Sequence, residues 1–297
     1  MNYEIWTDSS SNLTDELIIS HNINILSLVF VVGEREFISY EKGEETNLQQ
    51  FYELLRKKET LTTSCVNEQT AYDNFEQTLS EGKDLLYIGF SSALSKTFSA
   101  CENAINRLKV KFPERKIIAV DTLGASLGEG LLVLYASRLR ESGKSIDEVA
   151  KWLEDNKLKL CHYFTVDDLF YLFRGGRVQK SSYLIASILQ IKPIMHMNDQ
   201  GQLVAIGRVP GRKKSINTLA KLVANNIVNP KEQTICITHG DCIDDVNLLV
   251  TKLKELITVK EYIINYVDPV VGAHSGPGTI AIFFLADSRL PKEYNKQ

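Results

Sequence analysis

One histidine and two groups of hydroxyl side chains are the residues of this chain best suited to chemistry. His274 lies in the glycine- and proline-rich stretch 272–278, directly before an apolar run at 279–285 that predicts a buried strand. Glycine lets backbone approach a ligand closely and proline stiffens a turn, so we expect a rigid loop at a sheet end. A histidine held there can bind a ligand through its imidazole, or it can simply cap the strand.

The hydroxyl groups follow two other predicted elements. Thr62, Thr63 and Ser64 follow a helical pattern at 48–58, and the serine-rich stretch 91–98 follows an apolar run at 85–90. In an open α/β sheet, ligands bind outside the carboxyl ends of strands, where helix N-termini present free N–H groups. Serine and threonine are also the usual N-cap residues, so each hydroxyl has a helix cap as its alternative role.

Bulk properties limit the class of protein. The chain has 297 residues, a net charge of −3, 44% hydrophobic and 24% charged residues. This length suits two domains, the composition is that of an ordered globular protein, and the acidic balance argues against nucleic acid as a partner. No stretch approaches the ~18 consecutive apolar residues of a membrane span, and the first residues do not resemble a signal peptide. We therefore expect a cytoplasmic protein without stable membrane insertion.

Cysteine and histidine spacing argues against disulfides and metals. The five cysteines form no C-x-x-C pair, which favours reduced thiols. His162, His196 and His239 lack ligand spacing with each other or with the cysteines, so we predict no metal site.

Alternating strand and helix patterns predict an α/β fold with two domains. Residues 1–157 are expected to form a Rossmann-like domain, with a parallel sheet covered by helices on both faces. Residues 158–297 are expected to form a mixed or antiparallel α+β domain with helices on one face. The predicted strands are 3–6, 23–32, 85–89, 116–120, 192–197, 203–208, 234–238, 262–267 and 279–285. The predicted helices are 14–21, 48–58, 69–79, 94–110, 127–141 and 145–156.

Short motifs along the whole chain resemble those of one family. They are residues 7–13 (TDSSSNL), 62–64 (TTS), 91–98 (SSALSKTF), 120–126 (VDTLGAS), 171–177 (YLFRGGR), 192–194 (KPI) and 272–278 (GAHSGPG). Their order is similar to that in the DegV family. The resemblance implies a long-chain fatty acid bound between the two domains and presented to a separate ATP-binding fatty acid kinase subunit, with no catalytic residue or cofactor of its own.

The same resemblance assigns the carboxylate end of the ligand. Thr63 and Ser95 match the family's carboxylate-binding hydroxyls, with Ser64 and Ser92 as second choices, and His274 matches the histidine beside the carboxylate. Hydroxyls and an imidazole can bind a carboxylate at the end of an apolar tunnel without a buried permanent cation. The apolar segment 183–189 is a plausible tunnel wall, and an ordinary core helix is its alternative interpretation.

Two positions depart from the family pattern. Cys65 begins the sequence Cys-Val-Asn where many members have Gln-Pro-Ser, which would leave the hydroxyls intact but loosen the turn that aims them. Lys96 replaces the usual glycine. Its ammonium group would contact the carboxylate or, the interpretation we favour, point to solvent.

Two basic clusters, 174–177 and 208–214, are typical of solvated loops, although either could dock an acidic partner surface or steer ATP. In kinase-associated members of the family, an arginine on the strand after Lys-Pro contributes to docking of the kinase. Arg208 is the positional match.

A serine hydrolase is the alternative from another class. Residues 89–93 (GFSSA) nearly match the G-x-S-x-G nucleophile elbow, with Ser91 as nucleophile, His274 as base and Asp241 or Asp268 as acid. Alanine occupies the fifth position, where the elbow needs glycine, and no oxyanion-loop motif precedes it. No Walker P-loop is present, so we expect no ATP hydrolysis by a site of that class.

Overall fold

The structure is a computed structural model that describes residues 2–44, 46–179 and 190–292. The strands are β1 (Tyr3–Asp8), β2 (Ile23–Leu26), β3 (Val29–Val32), β4 (Arg35–Ile38), β5 (Leu61–Ser64), β6 (Asp84–Gly89), β7 (Ile117–Asp121), β8 (Leu160–Thr165), β9 (Ile191–Met197), β10 (Leu203–Pro210), β11 (Thr234–His239), β12 (Glu261–Tyr266) and β13 (Ile280–Leu285). The helices are α1 (Asp15–Ser20), α2 (Leu48–Arg56), α3 (Glu68–Ser80), α4 (Thr97–Lys111), α5 (Leu127–Glu141), α6 (Ile146–Asn156), α7 (Phe170–Arg174), α8 (Arg212–Asn226), α9 (Ile243–Leu256) and α10 (Pro269–Ser275). The predicted α/β fold class is confirmed.

The first half of the chain forms a parallel sheet with strand order β2-β1-β6-β7. Successive residues of β6 point to opposite faces: Leu85 and Tyr87 pack with α3 and α4, while Leu86 and Ile88 pack with α5. Because both faces are buried, the strand is a continuous apolar run rather than an alternating pattern. The helices therefore cover both faces of the sheet, as predicted.

The second half forms a mixed sheet with strand order β10-β9-β8-β13-β11-β12, antiparallel except for the β11–β12 pair. Ile282 and Phe284 of β13 face α8 and α9, whereas Ala281 and Phe283 face the opposite way, toward α5. The inner face of this sheet thus meets the first half of the chain. All strands of the parallel sheet precede residue 157 and all strands of the mixed sheet follow it, and the division into domains 1–157 and 158–297 stays a prediction.

A small antiparallel sheet, β4-β3-β5, was not predicted. The single strand expected at 23–32 is interrupted after Leu26, because the hydroxyl of Ser9 accepts a hydrogen bond from the Leu28 N–H (3.0 Å) and the chain turns into β3. Gly33, with a φ of 64°, then allows the turn into β4. The Thr62–Ser64 hydroxyls consequently lie on strand β5 of this sheet.

Other boundaries also differ from the sequence prediction. The helix expected from residue 94 begins at Thr97, because the Ser95 hydroxyl accepts the Thr97 N–H and ends the preceding turn there. Strand β8, buried along its whole length, was missed. The rigid loop expected at 272–278 is in part a helix, since α10 extends to Ser275. The possible tunnel wall at 183–189 lies outside the described residues.

A buried arginine ties the two halves together. Arg289 is fully buried and donates to four main-chain carbonyls, those of Leu123 (2.7 Å), Asn198 (3.0 Å), Lys157 (2.6 Å) and Leu160 (3.1 Å). Burial lowers the pKa of this guanidinium to about 10. One side chain thereby holds the loop after β7 against the β8 and β9 end of the mixed sheet.

Candidate functional site

A cavity of about 310 Å³ lies between the inner face of the mixed sheet and the first half of the chain. This volume is at the lower end of the roughly 300–1,000 Å³ range of small-molecule sites. Most of its wall is apolar, including Leu28, Phe90, Phe164, Met197, Val270 and Phe283. Such a wall suits a hydrocarbon chain, because it offers contact area without polar groups that would need partners.

Among the polar side chains that line the cavity, Thr63 and His274 contact each other. Thr63 Oγ1 lies 2.8 Å from His274 Nε2, although the two residues are 211 positions apart in the chain. Strand β5 positions Thr63, and α10 positions His274. The carboxylate of Asp268 accepts the N–H groups of Val270 and Val271, both at 3.1 Å, and so caps the helix that carries the histidine.

The close approach of His274 explains why residue 175, directly after α7, is glycine. A Cβ atom on this residue would lie 2.2 Å from Nδ1 of His274, so any other residue would displace the ring. Gly175, the first glycine of the RGGR motif, thus lets the chain pack directly against the imidazole.

The imidazole of His274 is neutral at physiological pH. Burial, and then the nearby Arg177 and Arg174 guanidinium groups, lower its pKa to about 4. A neutral imidazole has one N–H group. When Nε2 carries that hydrogen, His274 donates to Thr63 Oγ1, and the Thr63 hydroxyl hydrogen is free to donate to a ligand.

Ser95 and Ser64 also line the cavity, and Ser92 does not. Ser95 Oγ accepts the Thr97 N–H at 3.2 Å and lies 3.0 Å from the Thr97 hydroxyl, so it caps α4 while it faces the cavity. The alternatives of cap and ligand donor are therefore compatible in this residue. Ser92 is exposed, and its N–H is directed at the Asp121 carboxylate. Four of the five predicted ligand residues are thus brought together at the cavity.

The two departures from the family pattern lie at the rim. Cys65 and Lys96 both line the cavity and both are exposed. Lys96 is the residue before α4, and it makes no side-chain cap to the helix. Lys96 thus lies where the cavity meets solvent.

Sequence reasoning treated Arg174 and Arg177 as solvated loop residues, but both lie beside the site. Together with Thr63 and His274 they line a second cavity of about 330 Å³, and Arg177 lines both cavities. Arg177 is half-buried and donates to the main-chain carbonyls of Leu94 (3.1 Å) and Gly175. The only hint in the sequence was the glycine pair between the two arginines.

The geometry argues against a Ser91 hydrolase. Ser91 is fully buried and donates to the Gly201 carbonyl at 2.9 Å, whereas the ring of His274 is bonded to Thr63. Asp268 is occupied as a helix cap and Asp241 is paired with Arg56. Nucleophile, base and acid are therefore not assembled into a triad.

Residues 2–44, 46–179 and 190–292 contain no group of three or more His, Cys, Asp or Glu side chains placed to hold a metal ion. In the same residues, no helix combines the length and apolar character needed to cross a membrane. Arg208 is exposed on β10, opposite Pro193 of β9, and lies outside both cavities.

The fold and the cavity define an α/β protein with a largely apolar cavity that is also lined by hydrogen-bonding side chains. The family model described as "Uncharacterised protein, DegV family" matches residues 2–287. The chain belongs to the DegV family. A DegV domain-containing protein of Clostridium perfringens is 42% identical to it over 289 residues, which are 97% of this chain and 99% of that protein.

Solved structures of relatives share the fold. A DegV family protein of Thermus thermophilus, described for its fatty acid binding, has a TM-score of 0.84 and 26% identity, with 96% of this chain and 100% of that chain covered. DegV of Bacillus subtilis, described as a fatty acid binding protein, has a TM-score of 0.82 and 26% identity, with 97% and 100% covered.

Proposed function

We propose that this chain binds a long-chain fatty acid, with the acyl chain in the apolar cavity and the carboxylate held by Thr63, Ser95 and His274. The observation that carries the proposal is the Thr63–His274 pair in the wall of a largely apolar cavity. The fatty acid binding described for the Thermus thermophilus and Bacillus subtilis relatives supports it.

The polar end has the donors that a carboxylate requires. The Thr63 hydroxyl hydrogen becomes available when His274 donates to its oxygen, and the Ser95 hydroxyl supplies a second donor while its oxygen caps α4. Ser64, at the rim, is a further donor, and the exposed position of Ser92 does not favour such a role. Hydrogen bonds to an ionised group are about twice as strong as bonds between neutral groups, so few donors suffice.

Within this proposal the site lies between domains 1–157 and 158–297, and the protein is cytoplasmic. The five cysteines are unpaired, in agreement with a reducing compartment. The alternative of a serine hydrolase has no geometric support.

We further propose that the chain presents the carboxylate to a separate ATP-binding fatty acid kinase subunit and has no catalytic activity alone. A carboxylate is already a competent nucleophile toward a γ-phosphoryl group, so the presenter only has to position it. Mg²⁺ and the phosphate-binding groups would belong to the kinase. The second cavity is also lined by Thr63 and His274, which supports access to the carboxylate.

Lipid binding is tested by native mass spectrometry of purified protein, followed by denaturing lipid extraction. We expect one long-chain fatty acid per chain. The proposal would be refuted if the extract contained no lipid, the lipid-free protein were fully stable, and it had no affinity for palmitate or oleate.

Presentation is tested by incubating the loaded protein with ATP, with and without a cognate kinase subunit. Acyl phosphate is expected only with the kinase. Arg208→Glu should lower turnover without changing lipid affinity. The control is Lys109→Glu, which replaces an exposed cation on α4 and should change neither turnover nor lipid affinity. Acyl phosphate formed by the isolated chain would overturn the presenter role, and lost lipid binding in Arg208→Glu would place Arg208 in the ligand site.

A further inference from the structure

The second cavity has a lining suited to an anion. It has a volume of about 330 Å³, is open to solvent, and is lined by Arg174, Arg177, Thr60 and Thr62. No Asp or Glu is among its described lining residues. Guanidinium groups bind phosphate and carboxylate groups through paired N–H donors, and threonine hydroxyls can add further donors.

The positive charge of the two arginines is not balanced within the described part of the chain. Arg56, by comparison, is paired with Asp241. No described carboxylate forms an ion pair with Arg174 or Arg177, and the neighbouring residues 180–189 contain no Asp or Glu. Two like charges on one cavity repel each other, so this cavity gains most from a ligand that carries more than one negative charge.

Main-chain contacts fix Arg177 and leave part of its guanidinium group available. Nε donates to the Leu94 carbonyl at 3.1 Å, and Nη1 donates to the Gly175 carbonyl. Nη2 has no hydrogen bond to a described residue. The half-buried side chain is therefore held in place with donors to spare for a ligand.

Arg174 is oriented by two aromatic rings. Its guanidinium carbon lies 5.5 Å from the ring centroid of Phe170 and 5.4 Å from that of Tyr171. Nη2 donates to the Ala273 carbonyl at 3.3 Å. The other N–H groups make no hydrogen bond to a described residue, and the side chain is exposed, so they can reach a ligand that enters from solvent.

The two cavities meet at the residues assigned to the carboxylate. Thr63, His274 and Arg177 line both of them. Burial, and then the Arg177 and Arg174 charges, lower the pKa of His274 to about 4, so both cations act on this junction. A head group larger than a carboxylate can thus extend from the first cavity into the second. A phosphoryl group has three acceptor oxygens and a charge of about −1.5 to −2 at neutral pH.

We propose that the second cavity is a subsite for a phosphoryl group, carried by a long-chain lipid or present as free phosphate, and that Arg174 and Arg177 hold it. The inference rests on the proposed function, because a lipid-borne group reaches the subsite only when the acyl chain occupies the first cavity. It extends the ligand class from carboxylates to phosphoryl groups. Nucleotide and Mg²⁺ would still be bound by the kinase.

The test uses delipidated protein and three probes: palmitate, an alkylphosphonate with the same alkyl chain, and inorganic phosphate. Isothermal titration is done at a pH where the phosphonate is a dianion. Because the second charge gains hydrogen bonds from a guanidinium group, the phosphonate should bind roughly 10- to 100-fold more tightly than palmitate. Added salt should reduce this preference.

Inorganic phosphate separates the two sources of the group. It is titrated into protein already loaded with palmitate. Binding without displacement of palmitate would identify free phosphate as a ligand of the subsite, whereas a phosphonate preference without phosphate binding would identify the lipid-borne group.

Variants then assign the effect to the subsite. Arg174→Gln should bring the affinity ratio of phosphonate to palmitate close to one and abolish any binding of inorganic phosphate. The control is Arg56→Gln, which removes an exposed arginine that lines neither cavity and should keep the ratio of the parent protein. Thermal melting of each variant checks that it is folded.

The inference fails if the parent protein binds palmitate but neither prefers the phosphonate nor binds inorganic phosphate. It also fails if Arg174→Gln retains the parent behaviour, or if Arg56→Gln loses the preference equally, which would indicate a general charge effect. A parent protein that does not bind palmitate would instead reject the proposed function.

Discussion

Replacement of Thr63 by valine tests the carboxylate site most directly. Valine has nearly the shape of threonine and suits strand β5, where Thr63 is paired with Phe30 of β3, so the fold should persist. The substitution removes only the hydroxyl that lies 2.8 Å from His274 Nε2. Any loss of binding is then attributable to hydrogen bonding.

The expected magnitude follows from the charge of the ligand. A hydrogen bond to a charged group is worth about 1.5–3 kcal/mol, and each 1.4 kcal/mol is tenfold in affinity, so Thr63→Val should weaken fatty acid binding by roughly 10- to 100-fold. Thr63→Ser, which retains the hydroxyl, should stay within about threefold of the parent protein. Isothermal titration of delipidated protein with palmitate measures both.

Coupling to His274 provides an internal check. Because Thr63 and His274 share one hydrogen bond, combining Thr63→Val with His274→Gln should cost less than the sum of the two single effects. Parent-like affinity in Thr63→Val would refute the assignment of the hydroxyl. Equal loss in Thr63→Ser and Thr63→Val would show that shape matters rather than hydrogen bonding.

Three further outcomes are expected. Ser91→Ala should leave fatty acid affinity unchanged, and a fluorophosphonate probe should not label the parent protein; stoichiometric labelling at Ser91 would restore the hydrolase alternative. Arg289→Met should lower the free energy of unfolding by roughly 2–4 kcal/mol in urea titrations, because four buried carbonyls lose their donor, and a change within 0.5 kcal/mol (about the scatter of surface substitutions) would contradict that role. The folded-state pKa of His274, about 4, lies below its usual 6.5, so unfolded chains take up this proton first, and His274 contributes a loss of stability as the pH drops from 6.5 toward 4. His274→Gln should flatten that slope, and an unchanged slope would show that the ring titrates normally.

Local patterns in the sequence were sufficient to predict much of the parallel sheet and the helices that cover it. The run at 85–90 and the helical periodicity at 127–141 each depend on residues close together in the chain, and both correspond to observed elements, β6 and α5. The four predicted ligand residues that line the cavity were selected through motifs, but their convergence depends on contacts between the small sheet and α10 that no local pattern reveals.

The missed features depend on tertiary contacts. The break between β2 and β3 needs the Ser9 hydroxyl, which comes from a segment 19 residues away from Leu28. Strand β8 has hydrophobic, histidine and threonine residues buried on both faces, so it lacks the alternation that marks a half-exposed strand. The burial of Arg177 requires the Leu94 carbonyl, 83 residues away. A charged residue beside glycine is otherwise predicted to be exposed to solvent.

The neutrality of His274 has a consequence for how a carboxylate would behave at this site. An imidazolium or a buried arginine in direct contact would hold the ligand more tightly, but it would also withdraw electron density from the carboxylate oxygens, which attack a phosphoryl group in the proposed presentation role. Hydroxyls and a neutral imidazole stabilise the ionised form through hydrogen bonds while the negative charge stays on the ligand. Burial, and then the Arg177 and Arg174 guanidinium groups, lower the pKa of His274 to about 4. In the proposed presentation role, the neutral ring would leave the bound carboxylate available as a nucleophile rather than held in an ion pair with an imidazolium.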